Sequence, residues 1–109
     1  MARSTRIMFE NQQGVNRHNW NWDAINIDSA VIITAAEYAD WEGALSGVKT
    51  FGRPNLGAAS VWVSNVGAHG VAGIEAGGVE FLLHTDWDHP LKVLVTITVL
   101  EDIETFISD

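Results

Sequence analysis

The sequence predicts an all-β domain, an antiparallel β-sandwich of jelly-roll or Greek-key type, with one short α-helix. Three observations lead there. The segment "LKVLVTITVL" (91–100) alternates at period two, with Leu91, Val93, Val95, Ile97 and Val99 on one face and Lys92, Thr96 and Thr98 opposite. Other runs rich in β-branched and aromatic residues repeat the pattern. Glycine-rich stretches separate them, and only one segment has helical spacing, too little to cover the crossovers of a parallel sheet.

Taken in chain order, "TRIMF" reads as a short strand near the start. "INIDSAVII" sets Ile25, Ile27, Val31 and Ile33 against Asn26, Asp28 and Ile32. In "TAAEYADWEGALSG" the Thr34/Glu37 spacing is that of a capping box, and Tyr38, Trp41 and Leu45 recur at helical intervals up to Gly47. That segment is the expected helix. "FGRPNLG" and "GAHGVAGIEAGG" read as loops between strands. "AASVWVSNV" places Val61 and Val63 against Trp62, and "VEFLLHTDW" alternates Val79, Phe81, Leu83, Thr85 and Trp87 against Glu80, Leu82, His84 and Asp86. The expected core is the apolar face of 91–100 surrounded by Phe81, Leu83, Val61, Val63 and Ile27. Arg3 and Arg6 near the start, against Glu101, Asp102 and Glu104 near the end, predict neighbouring terminal strands.

At 109 residues the chain has the size of one domain spanning 1–109, with a core that needs no crosslink. Cysteine is absent, which removes disulfides, thiolate metal sites and thiol catalysis. A net charge of −8 disfavours nucleic acid. The longest apolar runs fall far short of the roughly 20 residues of a membrane-spanning helix, and the start has no apolar stretch of leader type, so the expected location is cytoplasmic.

Two stretches carry candidate chemistry. In "NRHNWNWD" an extended chain puts Asn16, His18, Trp20 and Trp22 on one side and Arg17, Asn19, Asn21 and Asp23 on the other. Indoles among amides, a carboxylate and a guanidinium suit a sugar ring, so Arg17, His18, Asn19, Trp20, Asn21, Trp22 and Asp23 form the ligand-binding candidate. The competing use of these tryptophans is core or oligomer contact. In "HTDWDHP", His84, Asp86 and Asp88 share one face if the strand stays extended, and with His89 they could hold a divalent metal. The simpler expectation is a strand end and turn, with Trp87 packed inward, the aspartates on nearby amides and Pro90 opening the next strand.

The glycine-rich segments lack a lysine and any phosphate-binding fingerprint, and no nucleophile elbow, zinc-protease helix or kinase loop is present. The expected function is a non-catalytic binding or assembly module without a cofactor, in its most concrete form a small-ligand or carbohydrate binder using the end loops. The alternatives are a divalent-metal-dependent hydrolase or isomerase centred on His84–His89, and a structural homo-oligomer.

Overall fold

The structure, a computed structural model, describes residues 2–39 and 52–109. It contains seven strands among the described residues: β1 (Arg3–Gln12), β2 (Gly14–Asn21), β3 (Ser29–Ala39), β4 (Arg53–Asn55), β5 (Ser60–Val71), β6 (Glu75–Asp86) and β7 (Leu91–Asp102). They form two antiparallel sheets, one ordered β1-β7-β3-β4 and the other β2-β6-β5. No described helix is long and apolar enough to cross a membrane.

The strands with the cleanest alternation sit centrally, β7 in the four-stranded sheet and β6 in the three-stranded one. A central strand has neighbours on both sides, so its inward residues are the most fully covered. Val93, Val95, Ile97 and Val99 of β7 pack with Val79, Phe81 and Leu83 of β6 in one core, closed at an end by Ile25. Each such side chain stabilises the fold by about 1.5–3 kcal/mol relative to exposure. Leu91, Val61 and Val63 pack against this cluster half-buried, as does Ala35.

Ile27 departs from the expected core. Residues 22–28 do not form a strand but a succession of tight turns, with Ile25 N–H donating to Trp22 O (3.0 Å) and Ser29 N–H to Asn26 O (3.0 Å). The turns separate the two isoleucines, which a regular alternation would put on one face: Ile25 is 1% exposed, Ile27 60%.

The expected helix is also corrected. Residues 34–39 belong to β3, where Val31 to Glu37 pair with Val99 to Val93 of β7. Thr34 faces Thr96 and is exposed instead of capping a helix. A capping hydrogen bond contributes about 1 kcal/mol, whereas the strand continues the inward row Val31, Ile33 and Ala35 over the core. Tertiary pairing outweighs the local signal. Trp41, Leu45 and Gly47 lie outside the described residues.

"GAHGVAGIEAGG" is mostly strand, not loop. β5 and β6 run through it and meet at a short turn, residues 72–74, where Gly73 takes φ 78°. Its other glycines serve close approach. A Cβ on Gly77 would overlap the Ile25 carbonyl oxygen, and one on Gly78 the Trp20 carbonyl oxygen. The connection carrying Ile25 is thereby laid directly onto the sheet, with Trp22 N–H donating to Gly77 O (2.8 Å) and Ile27 N–H to Gly70 O (3.0 Å). "FGRPNLG" likewise contains the short β4.

The terminal strands are neighbours, as the charge pattern predicts: β1 pairs with β7, Arg3 opposite Val99 and Arg6 opposite Thr96. The arginines use other partners than the acidic end, however. Arg6 Nε donates to Thr96 Oγ1 (3.1 Å), and the Arg3 guanidinium lies 5.4 Å from the Trp22 ring centre.

Candidate binding face

Inward burial of Val79, Phe81, Leu83 and Thr85 turns Glu80, Leu82, His84 and Asp86 to the outer face of the three-stranded sheet. Register sets their neighbours. Val15, His84 and Trp62 form one row across the sheet, then Arg17, Leu82 and Ser64, then Asn19, Glu80 and Gly67, and last Asn21, Gly78 and His69. The face is thus apolar and aromatic at one end and polar along the rest.

Trp62 and His84 are stacked, with centroids 4.7 Å apart and planes within 4°. The imidazole is also held at its edge, its Nε2 lying 2.7 Å from Ser64 Oγ. Among the described residues β5 is an edge strand, so no further described strand lies beyond the indole on the side away from His84, and Trp62 remains 46% exposed. Gly14, Val15, Thr85 and Asp86 complete a shallow cavity of about 290 Å³ with these two rings. A serine and histidine in contact also suggest a nucleophile and base, but among the described residues no carboxylate orients His84 Nδ1. The contact fixes the ring as a backing plate for the indole.

Farther along, the polar side chains are tied to one another. Arg17 Nη2 lies 3.1 Å from Glu80 Oε2, in an exposed pair. Asn19 Nδ2 donates to Asn21 Oδ1 (3.0 Å), and His69 bridges Asn19 Oδ1 (2.7 Å) and the Ala76 carbonyl (2.8 Å). Such mutual bonds hold the amides in place without covering them, since Arg17, Asn19 and Asn21 are exposed.

The ligand-binding candidate of the sequence is divided between two faces. Arg17, Asn19 and Asn21 point outward, on the face that carries Trp62 and His84. His18 and Trp22 point inward: His18 stacks on Phe9 (4.0 Å, 27°) with Nε2 2.8 Å from Gln12 Oε1, and Trp22 packs against the core. Burial lowers the His18 pKa below the usual histidine value by disfavouring the imidazolium. Trp20, on the same side, is half-exposed, and Asp23 lies beyond the end of β2. The amides and Trp20 or Trp22 therefore cannot grip one ring from a single side.

"HTDWDHP" is similarly dispersed. β6 ends at Asp86 and β7 begins at Leu91, leaving Trp87 to Pro90 as the connection between the sheets. His84 and Asp86 reach the outer face, while Asp88 Oδ1 accepts from His89 Nδ1 (2.7 Å) in the turn. Trp87 is not packed inward: it is half-exposed, and its Nε1–H donates to His89 Nε2 (3.3 Å). Among the described residues neither aspartate bonds a backbone amide, and Pro90 immediately precedes the strand, which begins at Leu91. Among the described residues no three histidine or carboxylate side chains converge as a metal would require. His84, Asp86, Asp88 and His89 are thus not brought into one ligand set.

The residues that sequence reasoning missed are Trp62, Ser64 and Val15. The signal for Trp62 was present: it is the outward member of Val61-Trp62-Val63, a large aromatic where a solvent-facing strand position ordinarily carries a polar side chain.

A larger cavity, about 700 Å³, lies on the outer side of the other sheet between Met8, Tyr38, Leu94 and Arg6. It borders Gly52, next to the segment outside the described residues, and its one arginine is already bonded to Thr96. The Trp62 face offers an exposed aromatic surface beside the exposed Asp86, and it is the better-defined candidate. Compared with protein-family models, curated proteins and solved structures, the chain matches none.

Proposed function

We propose that the protein is a β-sandwich binding module that takes a carbohydrate or similar polyhydroxylated ligand on the outer face of its three-stranded sheet. One observation carries this reading: the indole of Trp62 is backed by His84 and open on its other side at the sheet edge. A preformed flat apolar surface suits the C–H face of a pyranose ring. Asp86 beside it supplies an acceptor for hydroxyls, and the Arg17–Glu80 pair and the Asn19–Asn21 amides extend the polar surface for further sugar units. Because these side chains are already positioned, little conformational entropy is lost when a ligand arrives. The reading moves the binding surface from the end loops to a sheet face and needs neither metal nor cofactor. A glycan array is the test. Retention of one or a few glycan classes, lost in Trp62→Ala, supports the proposal, and an array with no retained glycan contradicts it.

A second reading, a self-assembling structural protein, has one observation in its favour. Ile103, Phe106 and Ile107 follow β7 without secondary structure and are largely exposed. Their burial against another copy would give a concentration-dependent mass in light scattering, lost when Phe106 and Ile107 are replaced by serine.

A further inference from the structure

At the end of the outer face farthest from Trp62, His69 reaches across the sheet. It stands on β5 opposite Gly78 of β6, and Gly78 pairs in turn with Asn21 of β2. Gly78 carries no side chain, and a Cβ there would come within 2.9 Å of His69 Cε1, so the imidazole lies over β6 at this point. It meets two partners. Nδ1 is 2.8 Å from the Ala76 carbonyl oxygen, and Nε2 is 2.7 Å from the Asn19 side-chain amide, at Oδ1. The other end of that amide, Nδ2, donates to Asn21 Oδ1 (3.0 Å). His69, Asn19 and Asn21 thus form one row of bonds, half-buried at the histidine and exposed at the amides.

A backbone carbonyl only accepts, so the Ala76 contact keeps a hydrogen on Nδ1 in either charge state of the ring. Nε2 is then the position that gains or loses the titrating proton. With the proton it donates and needs an oxygen, which is the arrangement in the structure. Without the proton it accepts, and the amide can serve it only from Asn19 Nδ2, so the Asn19 amide must turn over. Asn19 Oδ1 then faces Asn21, which must turn as well and donate from Nδ2. We propose that His69 is a proton-driven switch that reverses the amides of Asn19 and Asn21 together. An amide is nearly symmetric in shape, so the strands need not move. What the outer face offers does change: with His69 protonated, Asn21 leaves its N–H groups to a ligand, and with His69 neutral it leaves its carbonyl oxygen. The charged groups on the elements packed about the ring are Glu80 and Arg17, bonded to each other, Glu75, whose Oε1 accepts from Gly70 N–H (2.8 Å), and Asp23 and Asp28 of the turns. Carboxylates and guanidinium groups ordinarily hold their charge between about pH 5 and 8, where histidine titrates. The switch does not depend on which ligand the Trp62 end takes.

The test is NMR of the intact ¹⁵N-labelled protein between about pH 8 and about pH 5. At the upper end the His69 ring nitrogens should show the neutral Nδ1–H tautomer, and a coupling across the hydrogen bond should join Asn19 Nδ2 to His69 Nε2. That coupling is lost as the ring takes its proton, because the bond then runs from Nε2–H to oxygen. The Asn21 side-chain amide moves with the same midpoint. In Asn19→Ala, His69 still titrates but the Asn21 amide no longer follows, which separates a relay through Asn19 from the field of the charged ring. A neutral Nε2–H tautomer overturns the proposal, as does absence of the coupling at the upper pH. So does an Asn21 amide that follows His69 equally in Asn19→Ala. Should that variant fail to fold, the tautomer and the coupling in the wild type decide.

Discussion

Replacing Gly77 with alanine strikes the point where the turns of residues 22–28 are laid on the three-stranded sheet. The added Cβ overlaps the Ile25 carbonyl oxygen and comes within 3.0 Å of the Trp22 carbonyl oxygen. Both are backbone atoms, so relief requires the connection to lift. Lifting withdraws Ile25, 1% exposed, from the core and stretches the bonds Trp22 N–H to Gly77 O and Ile27 N–H to Gly70 O. Exposing Ile25 costs about 1.5–3 kcal/mol and each lost hydrogen bond about 0.5–1.5, together roughly 2.5–6 kcal/mol. Against a total stability of about 5–15 kcal/mol, that is a lowering of the melting midpoint by about 10 °C or more. Gly73→Ala is the internal control, because nothing lies within 4 Å of its Cβ and only its φ of 78° resists the change. It should cost about 1–2 kcal/mol through left-handed backbone strain. Circular dichroism melts and urea titrations of the two variants give the comparison. A Gly77→Ala midpoint within about 4 °C of wild type, or no lower than that of Gly73→Ala, would refute the close-approach argument.

The remaining predictions test the core, the register of β3 and the half-buried His18. Val95→Ala, at a fully buried central position, should destabilise by about 1–3 kcal/mol in urea unfolding, and a change of only a few tenths would place Val95 outside the core. Thr34→Ala should cost less than about 0.5 kcal/mol, as at an exposed strand position; a loss of about 1 kcal/mol or more would restore the helix cap. His18 has a lowered pKa when folded, so below its ordinary value of 6.5 the unfolded chain binds more protons. Its contribution is therefore complete above that pH and is lost as pH falls through 6.5 towards the folded value. Urea midpoints measured down that range should fall less steeply in His18→Gln than in wild type, and equal slopes would contradict the assignment.

Much of the layer structure was legible because period-two alternation in 79–87 and 91–100 reports burial directly, and both segments became central strands. The helix was misread for a local reason. Thr34, Glu37, Tyr38 and Trp41 carry helical spacing, but spacing within a segment says nothing of the partner strand that β7 offers to residues 31–37. The glycine-rich segment was misread for the opposite reason: Gly70, Gly77 and Gly78 are small because another piece of backbone, distant in sequence, lies against them. Ile27 left the face it was expected to share with Ile25 because turns at residues 22–28 break the alternation that extended chain would give. At the candidate face, alternation alone put Arg17, Asn19 and Asn21 on one side of their strand but did not say which side turned outward. Their association with Trp62 and His84 depended on which strands flank β6, which the sequence does not encode locally.

The central claim is that the open side of Trp62 is where a polyhydroxylated ligand rests. Its indole N–H resonance, assigned in ¹⁵N-labelled protein by comparison with Trp62→Phe, can be followed during titration with a panel of mono- and disaccharides. The account predicts that at least one sugar shifts the Trp62 indole and the amides of Val15, His84 and Asp86 together and saturably. It also predicts at least a tenfold weaker affinity, about 1.4 kcal/mol, in Trp62→Ala. Saturable shifts centred on Trp20 or Trp22 with Trp62 unmoved, or no shift with any sugar at millimolar concentration, would contradict it.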